Sequence, residues 1–308
     1  MSYINSRQWC KGLRNMYPLN VKLDEKHVRR ILLNGKQSPR PGQLRQYKHN
    51  PSHICDKSSL KVLFIVKSAP GNFRLREAVR NSWGSEAINE GNKIVFSLGL
   101  PKDKKVQSAI DQEMNDRKDI LQSTFMDSYF NLTQKSIHGI QWIAAFCPKA
   151  EFVVMVDDDV IINFHRLMSF FNNLSPTEAR ELLTGYVVNF PSGPIRWASK
   201  WAISRDVYPF PCYPPYVSGP IILTSGDVVQ KFDAAIPFVK HFLFEDVYLG
   251  LVSMKLGITL STANNDLFDS DGIFLHKFSC MISSHQRGIS GENYEKYHKQ
   301  YLESPCKD

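Results

Sequence analysis

The fold is decided by a stretch that reads Phe152-Val153-Val154-Met155-Val156-Asp157-Asp158-Asp159. An unbroken run of β-branched and other apolar residues predicts a strand that is buried on both faces. The three carboxylates that follow cannot remain in the core, because an unpaired buried charge is very costly. We therefore expect them at the carboxyl edge of a sheet, where open α/β sheets bind their ligands.

The acidic triplet also predicts a cation site. Residues two apart in a strand face the same way, so Asp157 and Asp159 are expected to converge on one ion. Carboxylate oxygens suit a hard divalent cation such as Mg²⁺ or Mn²⁺. An acidic turn that holds no ion is the alternative that these residues leave open.

The positive charge of the chain is concentrated at its start. The net charge is +8, and residues 1–58 hold 12 Lys and Arg against 3 Asp and Glu. The remainder is close to neutral, so it has no basic stripe of the kind that binds nucleic acid. We interpret residues 1–58 as a basic, poorly ordered stem or tail and residues 59–308 as one folded domain.

Cysteine content and hydropathy bear on the cellular compartment. The six cysteines permit disulfide bonds in an oxidising compartment, and buried thiols are the alternative. None of them has the short spacing of a zinc site. No window approaches the ~20 apolar residues of a membrane helix, and residues 1–20 contain no apolar signal-peptide core.

Strands alternate with helices along the predicted domain. We predict strands at residues 61–66, 93–98, 152–156, 182–188, 221–223 and 258–260. We predict helices at residues 74–83, 104–117, 132–146, 163–173, 225–235 and 245–254. This order is typical of an α/β domain with a mainly parallel sheet flanked by helices. The irregular, Pro-rich and aromatic stretch 190–217 is long enough to suggest a functional loop.

Five blocks, in order, resemble glycosyltransferase family 31, the β-1,3-galactosyl and β-1,3-N-acetylglucosaminyl transferases. They read RLREAVRNSWG at 74–84, DIL and FMDSYFNLT within 119–133, DDD at 157–159, KW and YPPYVSG within 200–219, and EDVYLG at 245–250. Neither GxGxxG after the first strand nor a Walker motif is present, which disfavours dinucleotide enzymes and P-loop NTPases.

The resemblance implies a single Rossmann-like domain of the kind called GT-A. It also implies an inverting hexosyltransferase that forms β-1,3 links between a UDP-sugar and a glycan acceptor on protein or lipid. Galactose is the favoured sugar and N-acetylglucosamine the alternative. The implied cation is Mn²⁺, with Mg²⁺ as the alternative.

The resemblance further implies a protein of the Golgi lumen, with a short cytosolic tail, one membrane helix and a stem. We expect this type II anchor to be missing from the chain. Membrane association is expected only through that anchor. The chain has Val217 where many relatives have Cys, and Cys212 lies nearby.

With the resemblance, Asp159 is the best candidate metal ligand, Asp157 and Asp158 contact the donor or the ion, and His276 completes the metal set of Asp157, Asp159 and His276. His276 follows a short apolar run, Ile273-Phe274-Leu275, and a satisfied core histidine is the alternative. The mixed carboxylate and imidazole set suits Mn²⁺.

Glu245 and Asp246 precede an apolar helix. An inverting displacement needs one carboxylate within hydrogen-bond reach of the acceptor hydroxyl. We take Asp246 as the general base and Glu245 as its competitor. Helix capping is the other role that carboxylates have at this place.

Arg76 and Arg80 lie four residues apart and therefore share one face of a helix. We predict that they bind the UDP diphosphate, since guanidinium groups pair bidentately with phosphate. Arginines on a solvated surface are the alternative. The sugar and acceptor pocket is predicted to comprise Lys200, Trp201, Tyr213, Tyr216 and Gly219.

Two other activities remain open. A transferase-like protein could bind glycan without turnover, although the intact acids argue against decay of the site. A metal-dependent phosphohydrolase could use the same acids to activate water, although the five blocks do not favour it.

Overall fold

The computed structural model describes Tyr17 and residues 46–55, 59–189, 193–261, 265–269 and 280–303. Its strands are β1 (Tyr47–His49), β2 (Leu60–Lys67), β3 (Lys93–Leu100), β4 (Ile120–Met126), β5 (Ala150–Asp157), β6 (Val160–Ile162), β7 (Leu183–Val188), β8 (Tyr216–Ser225), β9 (Phe268–Asp269) and β10 (Ser283–His285). Its helices are α1 (Phe73–Asn81), α2 (Trp83–Asn89), α3 (Lys104–Arg117), α4 (Leu132–Phe146), α5 (Phe164–Asn172), α6 (Pro176–Arg180), α7 (Gly226–Ala235), α8 (Glu245–Leu256) and α9 (Gly291–Glu303).

The main sheet has the strand order β1-β4-β3-β2-β5-β8-β7. Its centre, from β4 to β5, is parallel, whereas β1, β8 and β7 add antiparallel pairs at the two sides. Helices on both faces provide the crossovers that parallel strands require. The predicted α/β fold with a mainly parallel central sheet is confirmed.

Strand β5 lies near the middle of the sheet and is buried on both faces, as predicted. Val153 and Met155 belong to the hydrophobic core on one face, which includes side chains of α4, α7 and α8. Phe152, Val154 and Val156 belong to the core on the other face, with side chains of α1, α2, α5 and α9. The continuous apolar run is explained by this two-sided packing.

A second, smaller sheet has the order β6-β10-β9. Strand β10 pairs antiparallel with β6, so that His285 lies opposite Val160. Because β6 follows the acidic triplet directly, this pairing brings a histidine from late in the chain close to the carboxyl end of β5. Residues 258–260, predicted as a strand, have no regular structure after α8 ends.

The domain begins earlier than residue 59. Strand β1 pairs with β4, and Cys55 forms a disulfide bond with Cys147 after α4. The side chain of Tyr17 is also buried in the core. The interpretation of residues 1–58 as a poorly ordered tail is therefore wrong for Tyr17 and residues 46–55, which individual contacts attach to the domain despite the basic composition around them.

Each helix in the described part of the chain is too short or too polar to cross a membrane.

Replacing Cys55 and Cys147 together by Ser should destabilise the domain, because the disulfide joins residues 92 positions apart. A loop of that size corresponds to about 4.6 kcal/mol of unfolding free energy in the loop-entropy account. Denaturant unfolding of both proteins measures the difference. An unchanged unfolding midpoint would contradict the proposed attachment of residues 46–55.

Candidate active site

Two parallel strands end side by side at the site. Lys67, the last residue of β2, is the sheet partner of Asp157, the last residue of β5. The side chain of Lys67 is 2% exposed, and its Nζ lies 3.0 Å from Asp157 Oδ1. The carboxyl edge of the sheet therefore presents a buried cation next to the acidic triplet.

Asp157, Asp159 and His285 form a group that can hold a metal ion. One ligand atom from each lies within 4.8 Å of the others, and all three residues are partly buried. Asp159 Oδ1 lies 3.3 Å from His285 Nε2. The predicted convergence of Asp157 and Asp159 thus agrees with this arrangement.

The donor set fits a divalent cation. Asp159 Oδ1 is buried and, apart from the His285 ring nitrogen at 3.3 Å, has no hydrogen-bond partner among the described residues. A buried carboxylate oxygen without a donor is costly unless a ligand satisfies it. Two carboxylates and an imidazole also match the ligand preferences of first-row transition metals such as Mn²⁺.

Asp158 has a different environment from its neighbours. Its Oδ2 accepts hydrogen bonds from Ser68 Oγ at 2.6 Å and Asn72 Nδ2 at 2.9 Å. These bonds attach the end of β5 to the segment between β2 and α1. Burial raises the pKa of Asp158, while the two hydrogen bonds oppose that shift. Asp158 lines the pocket, where its Oδ2 binds the segment between β2 and α1.

Glu245 is held by other side chains. Lys67 Nζ donates to both of its carboxylate oxygens at 3.1 Å, and Ser136 Oγ donates to Oε1. Burial alone would lower the pKa of Lys67, but Asp157 and Glu245 raise it, so the ammonium group stays charged. Glu245 is therefore engaged in a buried ion pair, which makes it a poor candidate for the base.

Asp246 faces the pocket with fewer contacts. Its Oδ1 accepts the Val247 backbone N–H at 2.7 Å, and no cation within the described residues forms an ion pair with it. Burial raises the pKa of Asp246 to about 6, and the neighbouring Glu245 adds to the effect. A carboxylate with a pKa near neutrality is suited to general base catalysis.

Arg76 and Arg80 do not line the pocket. Arg76 is fully buried and pairs with Glu113 at 2.6 Å, while Arg80 pairs with Glu113 and with Asp119, each at 2.8 Å. This arrangement therefore gives no support to the prediction that they bind the diphosphate. Both guanidinium groups instead attach α1 to α3 and to the start of β4.

The remaining predicted residues, Lys200, Trp201, Tyr213, Tyr216 and Gly219, all line one cavity of about 750 Å³ together with the acids and His285. Trp201 Nε1 donates to Tyr129 OH at 2.8 Å. Lys200 Nζ lies 4.6 Å from the ring centroid of Trp201 and 5.2 Å from that of Tyr129. Two segments distant in sequence thus meet in an aromatic wall beside the acidic edge.

Gly219 brings β8 close to the start of α8. Its carbonyl accepts a hydrogen bond from Lys67 Nζ at 2.8 Å. A Cβ atom at this position would lie 3.6 Å from Glu245 Oε2 and 3.8 Å from Asp246 Cβ. These distances are ordinary van der Waals contacts, so the glycine here contributes its carbonyl group and its small size to the pocket wall.

Sequence reasoning missed several charged residues of the cavity, among them Lys67, Lys135 and His285. Lys67 follows an apolar strand just as the acidic triplet does, and that signal was available. Lys135 is buried and pairs with Asp127 at 2.9 Å. The predicted ligand His276 lies outside the described residues. His285, which was not predicted, lies beside the acids.

The fold and this cavity define an α/β protein with an acid-lined pocket at the carboxyl edge of its sheet. The galactosyltransferase family model matches residues 74–264. The chain therefore belongs to the galactosyltransferase family, as its resemblance to glycosyltransferase family 31 implied.

Two relatives show the range of the family. Beta-1,3-galactosyltransferase 1 of Mus musculus is 36% identical over 212 residues, which are 68% of this chain and 64% of that protein. Lactosylceramide 1,3-N-acetyl-beta-D-glucosaminyltransferase A of Xenopus laevis is 32% identical over 270 residues, 84% of this chain and 68% of that protein. The chain thus spans only part of either relative.

Solved structures resemble the chain more distantly. The match to the WbbM bifunctional glycosyltransferase includes 81% of this chain and 50% of the WbbM chain. It has 12% sequence identity and a TM-score of 0.42. The match to the galactosyltransferase LgtC, solved with donor and acceptor sugar analogues, includes 80% of this chain and 98% of the LgtC chain. It has 10% sequence identity and a TM-score of 0.35. The fold assignment rests on the sheet topology of this chain.

Replacing His285 by Ala should weaken Mn²⁺ binding by about tenfold or more, because one of three neighbouring ligand groups is lost. Titration calorimetry with Mn²⁺ alone measures the affinity without requiring activity. His276→Ala is the matched variant and should bind Mn²⁺ like the parent protein. The reverse result would favour the ligand set predicted from sequence.

Proposed function

We propose that this protein transfers a hexose from a UDP-sugar to a hydroxyl group of a glycan acceptor, forming a β-1,3 link. The main support is the arrangement of the cavity, in which the Asp157, Asp159 and His285 group and Asp246 line the same space. Family membership supports the reaction class, and the names of the relatives support the linkage.

In the proposed reaction, Asp246 accepts the proton of the acceptor hydroxyl as its oxygen attacks the anomeric carbon. A new carbon–oxygen bond forms while the bond to the diphosphate breaks, and UDP leaves with the electron pair. Attack from the face opposite the leaving group inverts the anomeric centre. The raised pKa of Asp246 makes its carboxylate a stronger base than an exposed aspartate.

Asp157, Asp159 and His285 would hold the divalent cation, proposed to be Mn²⁺ with Mg²⁺ as the alternative. When bound, the cation offsets the negative charge of the leaving diphosphate. The fixed positions of Lys67 and Glu245 keep Asp157 oriented towards this group. Lys135 lines the same cavity as part of a buried ion pair with Asp127.

The aromatic wall of Tyr129 and Trp201 is proposed to contact the sugar ring of the acceptor. Aromatic rings and the C–H faces of pyranoses pack well against each other. Galactose is the favoured donor sugar, in line with the family model. N-Acetylglucosamine is the second candidate, because a transferase of that sugar matches 84% of this chain.

We propose that the protein resides in the Golgi lumen, attached to the membrane through an N-terminal anchor. Cys55, Cys147, Cys212 and Cys280 are all disulfide-bonded. Disulfide bonds are stable in oxidising compartments and rare in the cytosol.

The experiment that tests the proposal measures UDP release from a panel of UDP-sugars by the complete 308-residue chain. The reaction is run with Mn²⁺ or with EDTA, and with β-linked galactoside and hexosamine acceptors. Release that requires Mn²⁺ and acceptor with one sugar is expected. Binding of UDP and acceptor without release would favour a non-catalytic glycan binder, and phosphate release without UDP would favour a phosphohydrolase.

Replacing Asp246 by Asn should lower the transfer rate at least about a hundredfold, because an amide cannot accept the hydroxyl proton. UDP binding, followed by calorimetry, should stay unchanged. Glu245→Gln is the contrasting variant, since its buried ion pair with Lys67 predicts a loss of thermal stability as well. Normal turnover by the Asp246 variant would remove this residue as the base.

The transfer rate should depend on pH through Asp246. Only the ionised carboxylate accepts a proton, so activity is complete well above a pKa of about 6 and is lost as the pH falls through it. With one essential base, the rate drops about tenfold per pH unit on the acid side. Rates are measured at saturating Mn²⁺ and donor, with UDP binding over the same pH range as the control. A flat profile down to pH 5 would contradict the assignment.

A further inference from the structure

Tyr17 lies within the basic leader, yet its side chain is only 4% exposed. Its hydroxyl donates a hydrogen bond to the carbonyl oxygen of Lys240 at 3.0 Å. Its ring centroid lies 6.2 Å from that of Tyr208 and 6.1 Å from that of Phe210. The Tyr17 side chain is thus attached to the core both by apolar packing and by a hydrogen bond.

The rings around Tyr17 continue towards the cavity. Tyr208 lies 5.0 Å from Tyr213 and 5.2 Å from Phe242, measured between ring centroids. Tyr213 lines the cavity. We call these five rings the aromatic plug: Tyr17, Tyr208, Phe210, Tyr213 and Phe242. The leader residue is therefore separated from the cavity wall by one intervening ring.

Ring contacts also connect the aromatic plug with the start of α8, where the proposed base Asp246 lies. The ring of Phe242 lies 5.6 Å from that of Phe244, and Phe244 lines the cavity at the start of α8. The carbonyl that accepts the Tyr17 hydroxyl belongs to Lys240, in the same segment. Tyr17 thus contacts the segment that leads into α8 as well as the segment that contains Tyr208 and Phe210.

The segment from residue 193 to 215 needs such support, because it forms neither helix nor strand. Arg196 holds it from within by donating to the carbonyl oxygens of Ile203 at 3.2 Å, Tyr208 at 2.8 Å and Phe210 at 2.7 Å. Segments without a regular backbone ladder open more easily than the sheet does. Contacts made by their side chains with the core therefore set their position.

We propose that Tyr17 is a positioning residue for acceptor binding: it completes the aromatic plug that packs against residues 193–215 and so fixes the wall that carries Lys200 and Trp201. This inference rests on the proposed transferase function. Asp157 and Asp159 stand at the end of a central strand, outside the plug, so the cation and donor side of the cavity should be independent of Tyr17.

The kinetic test compares Tyr17→Ala with Tyr301→Ala in the complete chain. Tyr301 is equally buried, at 4% exposed, but belongs to the core on the other face of the sheet. Tyr17→Ala should raise the acceptor KM by about fivefold or more and leave the donor KM unchanged, since only the acceptor wall loses its support. Tyr17→Phe keeps the ring, so its acceptor KM should lie close to that of the parent protein.

Both alanine variants remove a buried ring, so both are expected to lose thermal stability, and rates are measured at a temperature where both are folded. Tyr301→Ala should keep the parent acceptor KM. Equal rises in donor and acceptor KM, an unchanged acceptor KM in Tyr17→Ala, or the same rise in Tyr301→Ala would each overturn the proposal.

Hydrogen exchange provides a readout that does not need transferase activity. Tyr17→Ala should speed exchange of the amides in residues 193–215, whereas Tyr301→Ala should leave them at the parent rate. If the protein transfers no sugar but this contrast holds, the proposed function fails while the support of the segment by Tyr17 stands. Equal exchange in both variants would overturn the positioning role itself.

Discussion

The ammonium group of Lys67 is the contact on which the arrangement of the site depends. It pairs with Asp157 and Glu245 and donates to the Gly219 carbonyl, so one buried cation joins β2, β5, β8 and the start of α8. Two carboxylates buried side by side would repel each other without it. Removing one partner of a buried ion pair typically costs about 3–5 kcal/mol. The relative positions of the metal group and the base therefore depend on one side chain.

This constraint also distinguishes two neighbouring acids. Glu245 and Asp246 have the same chemistry and lie next to each other at a helix N-terminus, where either is favourable. Lys67 and Ser136 hydrogen-bond to Glu245, whereas Asp246 is half-buried and has no ion-pair partner among the described residues. Environment thus gives one carboxylate a structural role and leaves the other able to accept a proton, a division that sequence spacing does not reveal.

The parts of the site that follow from local sequence were predictable. An apolar run followed by acids places Asp157 and Asp159 at a sheet edge, because the apolar residues are buried and unpaired carboxylates in the core would be very costly. The spacing of Arg76 and Arg80 shows that they share a helical face but not what that face meets. Their partners come from α3 and the start of β4. His285 reaches the acids only through a strand pairing between residues more than a hundred positions apart, and no local pattern encodes that pairing.

The leader shows why average composition is a poor guide to a domain boundary. A basic, polar segment is expected to be poorly ordered as a whole, but attachment to a core requires only a few residues with specific partners. Tyr17, strand β1 and Cys55 supply those contacts. A fragment that began at residue 59 would lose all three at once, along with support for the acceptor wall. Its inactivity would therefore say little about the acids at the end of β5.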